Sequence, residues 1–125
     1  MMKVTGLHVL AEIHDCDQEL LQNITRLEAL VKDAAVENGL VVQDSMFHQY
    51  NQEGISGILI APKANLTIHT WPEGRRATID MVTCSEDMNP IASCGSLASK
   101  FKASRMTTST NKREIEMGAF ALACS

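Results

Sequence analysis

Two strand-like runs joined by a four-residue turn restrict this chain more than any other feature. Asn65–Trp71 and Arg76–Cys84 alternate in polarity residue by residue, and Pro72-Glu73-Gly74-Arg75 between them has turn chemistry. In the first run Leu66 and Ile68 share one face, while Thr67, His69 and Trp71 share the other. In the second, Ala77, Ile79 and Met81 oppose Thr78, Asp80, Val82 and Cys84. A hairpin with one apolar face is marginal alone; it requires more strands beside it and a layer packed on that face. A turn centred on Glu73-Gly74 sets His69 across from Thr78 and Cys84 across from residues 63–64. His69, Asp80 and Cys84 then share the polar-bearing face, with Cys84 beside the Lys63-Ala64 peptide. A slip of one residue would destroy that arrangement.

The flanking chain supplies the missing parts. Val4–Ile13 alternates, with Leu7, Val9, Ala11 and Ile13 on one side and His8, Leu10 and Glu12 on the other. Asp17 is a helix N-cap candidate. From Gln18 to Asn38, Leu20, Ile24, Leu27, Val31 and Ala34 recur at helical spacing, which predicts one helix closed by Gly39. Leu40–Tyr50 reads as a strand with a break near Gln43-Asp44-Ser45, followed by a turn over Asn51–Gly54. Ile55–Ala61 is a short apolar strand carrying Ser56, and Pro62, lacking a backbone donor, interrupts the ladder after it. Asn89-Pro90 opens a second helix over roughly Ile91–Ala103. Arg105–Thr110 and Lys112–Phe120 read as two last strands around Asn111, and Ala119–Ser125 is left unassigned. This order predicts a single α+β domain over residues 1–125: a two-layer sandwich, mostly antiparallel, with helices on one face of the sheet. The other face needs a cover, and a homodimer pairing those faces provides one.

Charge and cysteine usage narrow the function classes. A formal charge of −4 gives no electrostatic case for nucleic acid or an anionic membrane. Lys100, Lys102, Arg105, Lys112 and Arg113 are diluted by Ser and Thr and read as a solvated face. No apolar run approaches the ~20 residues that span a bilayer, and the N-terminus lacks a secretory signature, so the expectation is a cytoplasmic protein. Cys16, Cys84, Cys94 and Cys124 form neither a CxxC pair nor a tight metal cluster. No metal is expected, and every cysteine except Cys84 reads as a small buried hydrophobe.

A strand His is usually structural, and so is a lone Cys. Together on one face beside a chain turn, His69 and Cys84 make an acid–base arrangement. The motifs around them resemble those of the small prokaryotic S-adenosylmethionine decarboxylases, over nearly the whole chain. Gly6-Leu7-His8-Val9-Leu10-Ala11-Glu12 with Cys16-Asp17 is similar to that family's opening strand, and Gly54-Ile55-Ser56-Gly57 to its GVSG segment. Leu66–Glu73, LTIHTWPE, is similar to its most distinctive stretch, and Asn89-Pro90 and Lys112-Arg113 fall in matching places. The resemblance implies a homodimer in polyamine (spermidine) biosynthesis whose catalytic ketone, a pyruvoyl group, is made from one of its own serines. It assigns Ser56 and His69 to self-processing and Cys84 to proton donation at the decarboxylated carbon. Tyr50 would stack on adenine, Glu73 would accept from the ribose hydroxyls, and Leu66 and Trp71 would line the ligand. The plainer alternatives are turn-adjacent polar residues for Ser56 and Glu73 and a half-buried strand aromatic for Tyr50.

The departure from that pattern is as informative. Where the family has Glu-Ser followed by His, this chain has Lys63-Ala64-Asn65. Processing requires a hydroxyl to attack the preceding carbonyl and then to leave by β-elimination; alanine offers neither step. The expectation is therefore an unprocessed lyase homologue that forms no cofactor of its own and binds S-adenosylmethionine without decarboxylating it. Three alternatives stay open: an engineered Ser-to-Ala trapped proenzyme, a divergent enzyme cleaving S-adenosylmethionine with Glu73 or Asp80 as base, and a structural dimer with no ligand. Lys63 and Asn65, which also depart, favour natural divergence over a single trapping change. The ligand stays open between S-adenosylmethionine and an amino acid such as arginine or ornithine.

Overall fold

The structure, a computed structural model, describes residues 2–50, 54–85 and 87–117. Six strands form one antiparallel sheet in the order β2-β3-β4-β5-β1-β6. The strands are β1 (Met2–His14), β2 (Asp44–Gln49), β3 (Ile55–Ala61), β4 (Ala64–Trp71), β5 (Arg76–Thr83) and β6 (Arg105–Met117). Helices α1 (Gln18–Gln22), α2 (Ile24–Glu37) and α3 (Pro90–Lys100) pack on one face, as the alternation requires. On that face Val9, Ile68, Ile79 and Met81 meet Leu27, Val31, Leu97 and Phe101, each 0% exposed. Fully burying side chains of this size is worth about 1.5–3 kcal/mol each.

Several element boundaries differ from the sequence expectation; the strand expected over Leu40–Tyr50 is confined to β2, Asp44–Gln49, after the break near Gln43. The helix expected from Gln18 to Asn38 is two helices, broken at Asn23. Asn23 leaves helical geometry (φ −102°, ψ 102°), and its side-chain oxygen accepts from the Arg26 N–H at 3.1 Å, capping α2. The carbonyls released by the break are satisfied by side chains of the sheet. Thr70 Oγ1 donates to the Leu21 carbonyl at 2.8 Å, and Gln49 Nε2 donates to that of Gln22 at 2.8 Å. At the other end of the chain, the two expected last strands are one continuous strand, β6, with Asn111 inside it opposite His8. Pairing with β1 outweighs the turn tendency of an isolated Asn. The second expected helix ends at Lys100 rather than Ala103, because the Phe101 N–H caps onto Leu97 and Lys102 takes a positive φ of 59°. Phe120 and the Ala119–Ser125 tail lie outside the described residues.

Thr70 is the tightest link between the layers. It is 3% exposed, and its hydroxyl accepts from the Ile55 N–H at 2.9 Å while donating to Leu21. Beside it Gly54 has φ +130°, and a Cβ there would sit 2.2 Å from the Thr70 carbonyl oxygen, so only glycine fits. Cys16 and Cys94 are fully buried, and burial pushes each thiol up to about 11; Cys124 lies outside the described residues. No helix among the described residues is long and apolar enough to cross a membrane.

Thr70→Val keeps the shape but strands the Ile55 N–H and the Leu21 carbonyl. Urea unfolding should show a loss of about 1–3 kcal/mol at unchanged slope. An unchanged midpoint would mean that the hydroxyl does not join the layers.

Candidate active site

The face of the sheet away from the helices carries the candidate residues Ser56, His69, Asp80 and Cys84. The register pairs His69 with Thr78 and with Ser56, and Ala64 with Thr83 and with Ala61. The turn joining β4 to β5 is thus the one expected, and His69 opposes Thr78 as the alternation demands. The turn joining β3 to β4 is tighter than Pro62 alone suggested. Ala61 pairs with Ala64, leaving Pro62 and Lys63 as a two-residue turn with no positive φ at either position. Cys84 extends the ladder by one bond, its N–H donating to the Lys63 carbonyl at 2.9 Å.

These residues fall into two groups. At one end, Ser56 Oγ lies 2.7 Å from His69 Nδ1, so the hydroxyl donates whenever that nitrogen is unprotonated. Tyr50, Trp71, Ser56 and His69 line a cleft of about 320 Å³. Tyr50 is 51% and Trp71 48% exposed, leaving their rings available to a ligand. Glu73 is exposed in the adjoining turn. His48, which sequence reasoning passed over, pairs with Ser56 across the strands and packs edge-on against Tyr50, with ring centroids 4.6 Å apart. Ser56 therefore has an imidazole on the neighbouring strand to either side. Only the register of β2, the least regular strand in sequence, could have revealed this.

At the other end, Lys63, Ala64 and Cys84 line a second cleft, of about 440 Å³. His69 lies five steps along β4 from Ala64, about 17 Å at ~3.4 Å per step. So His69 and Cys84 share a face, as the alternation gives, but do not form one acid–base arrangement within a chain. Asp80 sits between the ends, half-buried, with Thr67 Oγ1 donating to it at 3.5 Å. Leu66 belongs to neither cleft. It is 2% exposed on the helix-covered face, because its alternation parity is that of Ile68, so it packs in the core rather than lining a ligand. Among the described residues no three His, Cys, Asp or Glu side chains cluster as metal ligands.

A feature no sequence signal marks lies under the second cleft. Thr83 is 1% exposed and its Oγ1 has no hydrogen-bond partner among the described residues. Its cross-strand neighbour on the same face is Ala64, 5% exposed. Such pairs hold Cβ atoms about 4.5–5.5 Å apart, so the buried hydroxyl faces a methyl group where a second hydroxyl would satisfy it.

The profile of the family described as S-adenosylmethionine decarboxylase matches residues 7–114. The chain is 41% identical over 114 residues to an S-adenosylmethionine decarboxylase proenzyme of Clostridium kluyveri, covering 91% of this chain and 90% of that one. It is 36% identical over 114 residues to a protein of the same description from Thermoanaerobacter sp. (strain X514), covering 91% and 92%. The fold is similar to that of the adenosylmethionine decarboxylase of Aquifex aeolicus, with a TM-score of 0.82 and 24% identity over 93% of this chain and 96% of that one.

Ala64→Ser should stabilise the chain by about 1 kcal/mol by giving Thr83 a partner. In a four-variant cycle with Thr83→Val, urea unfolding should give a coupling of at least ~0.5 kcal/mol. Additive effects would show that the two positions do not meet.

Proposed function

The chain belongs to the S-adenosylmethionine decarboxylase family, and from that premise we propose that it binds S-adenosylmethionine without decarboxylating it. The carrying observation is Ala64, which follows the Lys63 carbonyl in the turn facing Cys84. The family's ketone is made from a serine hydroxyl, and a methyl group can neither attack that carbonyl nor leave. The residues here do not fit a pyruvoyl group.

What remains is a binding surface. Tyr50 and Trp71 offer aromatic faces to adenine, Glu73 an acceptor for ribose hydroxyls, and Ser56 with His69 a polarised hydroxyl at the cleft floor. The second cleft, at Lys63 and Cys84, suits the amino-acid end of the ligand. A single chain sets these about 17 Å apart along β4, too far for His69 to serve Cys84. A second copy laid head-to-tail on the same face would bring the Ser56–His69 end of one chain against the Cys84 end of the other. Leu10, Met46 and Ile60, 40%, 71% and 41% exposed on that face, give such a homodimer an apolar centre.

A second reading has one observation in its favour. The unpartnered Thr83 hydroxyl opposite Ala64 suits a chain that keeps its processing surroundings and lacks only the serine. Intact-mass spectrometry of Ala64→Ser separates the two. Two fragments split between residues 63 and 64 support this second reading, and one intact species supports the first.

The purified protein should run as one chain of 13.7 kDa, bind S-adenosylmethionine by calorimetry and release no carbon dioxide. Stacking contributes about 0.5–1.5 kcal/mol and a charge-assisted hydrogen bond about 1.5–3 kcal/mol. Tyr50→Ala and Glu73→Gln should therefore each weaken binding, by severalfold to roughly a hundredfold. Binding that survives both changes unaltered would place the ligand elsewhere.

Sedimentation equilibrium at tens of micromolar should give a dimer. Leu10→Arg, outside both clefts, should convert it to monomer and abolish binding with it. A monomeric wild-type chain that still binds would remove the cross-chain site.

A further inference from the structure

Lys63 is the only charged residue, among those described, that lines the cleft at the Cys84 end of β4. Its backbone is fixed there. Pro62 precedes it in a two-residue turn, and the Cys84 N–H holds its carbonyl at 2.9 Å. The ammonium makes no ion pair with any described residue. Asp87 borders the neighbouring cleft that Lys63 also lines, yet the two are not paired. Gln43 and Asn65 flank Lys63 in the cleft, both exposed, and neither carboxamide is engaged in a hydrogen bond with the described residues. Ile60 and Val82 form the apolar wall.

One cation, two carboxamide donors and an apolar wall match a ligand carrying a single carboxylate on a short aliphatic stem. A phosphate dianion would leave a charge uncompensated. We infer that Lys63 anchors the carboxylate of an amino-acid ligand in this cleft. The inference rests on the ligand reading above and identifies the end of S-adenosylmethionine that lies beside Cys84.

The anchor also bears on the chemistry. A carboxylate loses its charge as carbon dioxide departs, so an ammonium paired with it stabilises the bound ground state more than the transition state. A cleft built around Lys63 holds its ligand's carboxylate in place.

Calorimetric titrations of wild type, Lys63→Met and Lys63→Arg with S-adenosylmethionine and with 5′-methylthioadenosine test this. The second ligand has the same nucleoside and no carboxylate. Lys63→Met should weaken S-adenosylmethionine by about tenfold or more and leave methylthioadenosine unchanged. Lys63→Arg should restore most of the loss. Equal effects on the two ligands, or none on either, would overturn the anchor while leaving nucleoside binding intact. If wild type binds neither, the ligand reading fails separately. The anchor is then read from backbone amide shifts of residues 63, 65 and 84 on titration with L-methionine. Shifts lost in Lys63→Met support it, and their absence in wild type overturns it.

Discussion

The register of β4 between β3 and β5 is the constraint on which the rest depends. Side chains alternate strictly along a strand, so the pairings of His69 with Ser56 and Thr78 fix the face of every residue from Ala64 to Trp71. Leu66, Ile68 and Thr70 then point into the helical layer, and Asn65, Thr67, His69 and Trp71 point away from it. A slip of one residue would drive the His69 imidazole into the core and expose Leu66 and Ile68, at about 1.5–3 kcal/mol for each apolar side chain lost. The core thereby holds the functional face in place without supplying any of its residues.

Thr70 couples that strand to the helices through a polar contact. An antiparallel sheet and a helical layer meet mainly through apolar side chains, which tolerate small sliding. The relay from the Ile55 N–H through Thr70 Oγ1 to the Leu21 carbonyl is directional, and it is buried. It joins the first residue of β3 to the end of α1, next to Gly54 and the Tyr50–Ser56–His69 cleft. The break between α1 and α2 exposes carbonyls that the sheet needs as acceptors, so the irregularity in the helix serves the site.

The length of β4 divides the functional face. Ser56 and His69 stand at one end and Lys63 and Cys84 at the other, with Ala64 turned to the helix-covered side beside them. On the proposed reading one chain offers two half-sites, which a two-fold neighbour would complete. The local chemistry at the second half-site combines a methyl group at Ala64 with a cation at Lys63. The first withholds a nucleophile, and the second, on the inference drawn above, would favour a bound carboxylate.

Much of this was legible in the residues themselves. Alternation in β1, β4 and β5, the helical spacing of Leu27, Val31 and Ala34, and the turn at Pro72–Arg75 follow from local periodicity, which a single sequence carries in full. So do the opposition of His69 to Thr78 and the nearness of Cys84 to Lys63, because a hairpin's register is set by its own turn. The split of the first helix at Asn23 was not legible, since its released carbonyls find partners in Thr70 and Gln49, 49 and 27 residues away in sequence. The continuity of β6 through Asn111 depends on β1, at the far end of the chain. Placing His48 beside Ser56 required a long-range pairing, and the orphaned Thr83 hydroxyl could be seen only from its surroundings. Consecutive residues alone assign the faces of β1, β4 and β5, because alternation is a local property of a strand. Which strands would flank that face was settled by long-range pairing, which sets His48 of β2 beside Ser56 and joins β1 to β5, because such contacts depend on residues far apart in sequence.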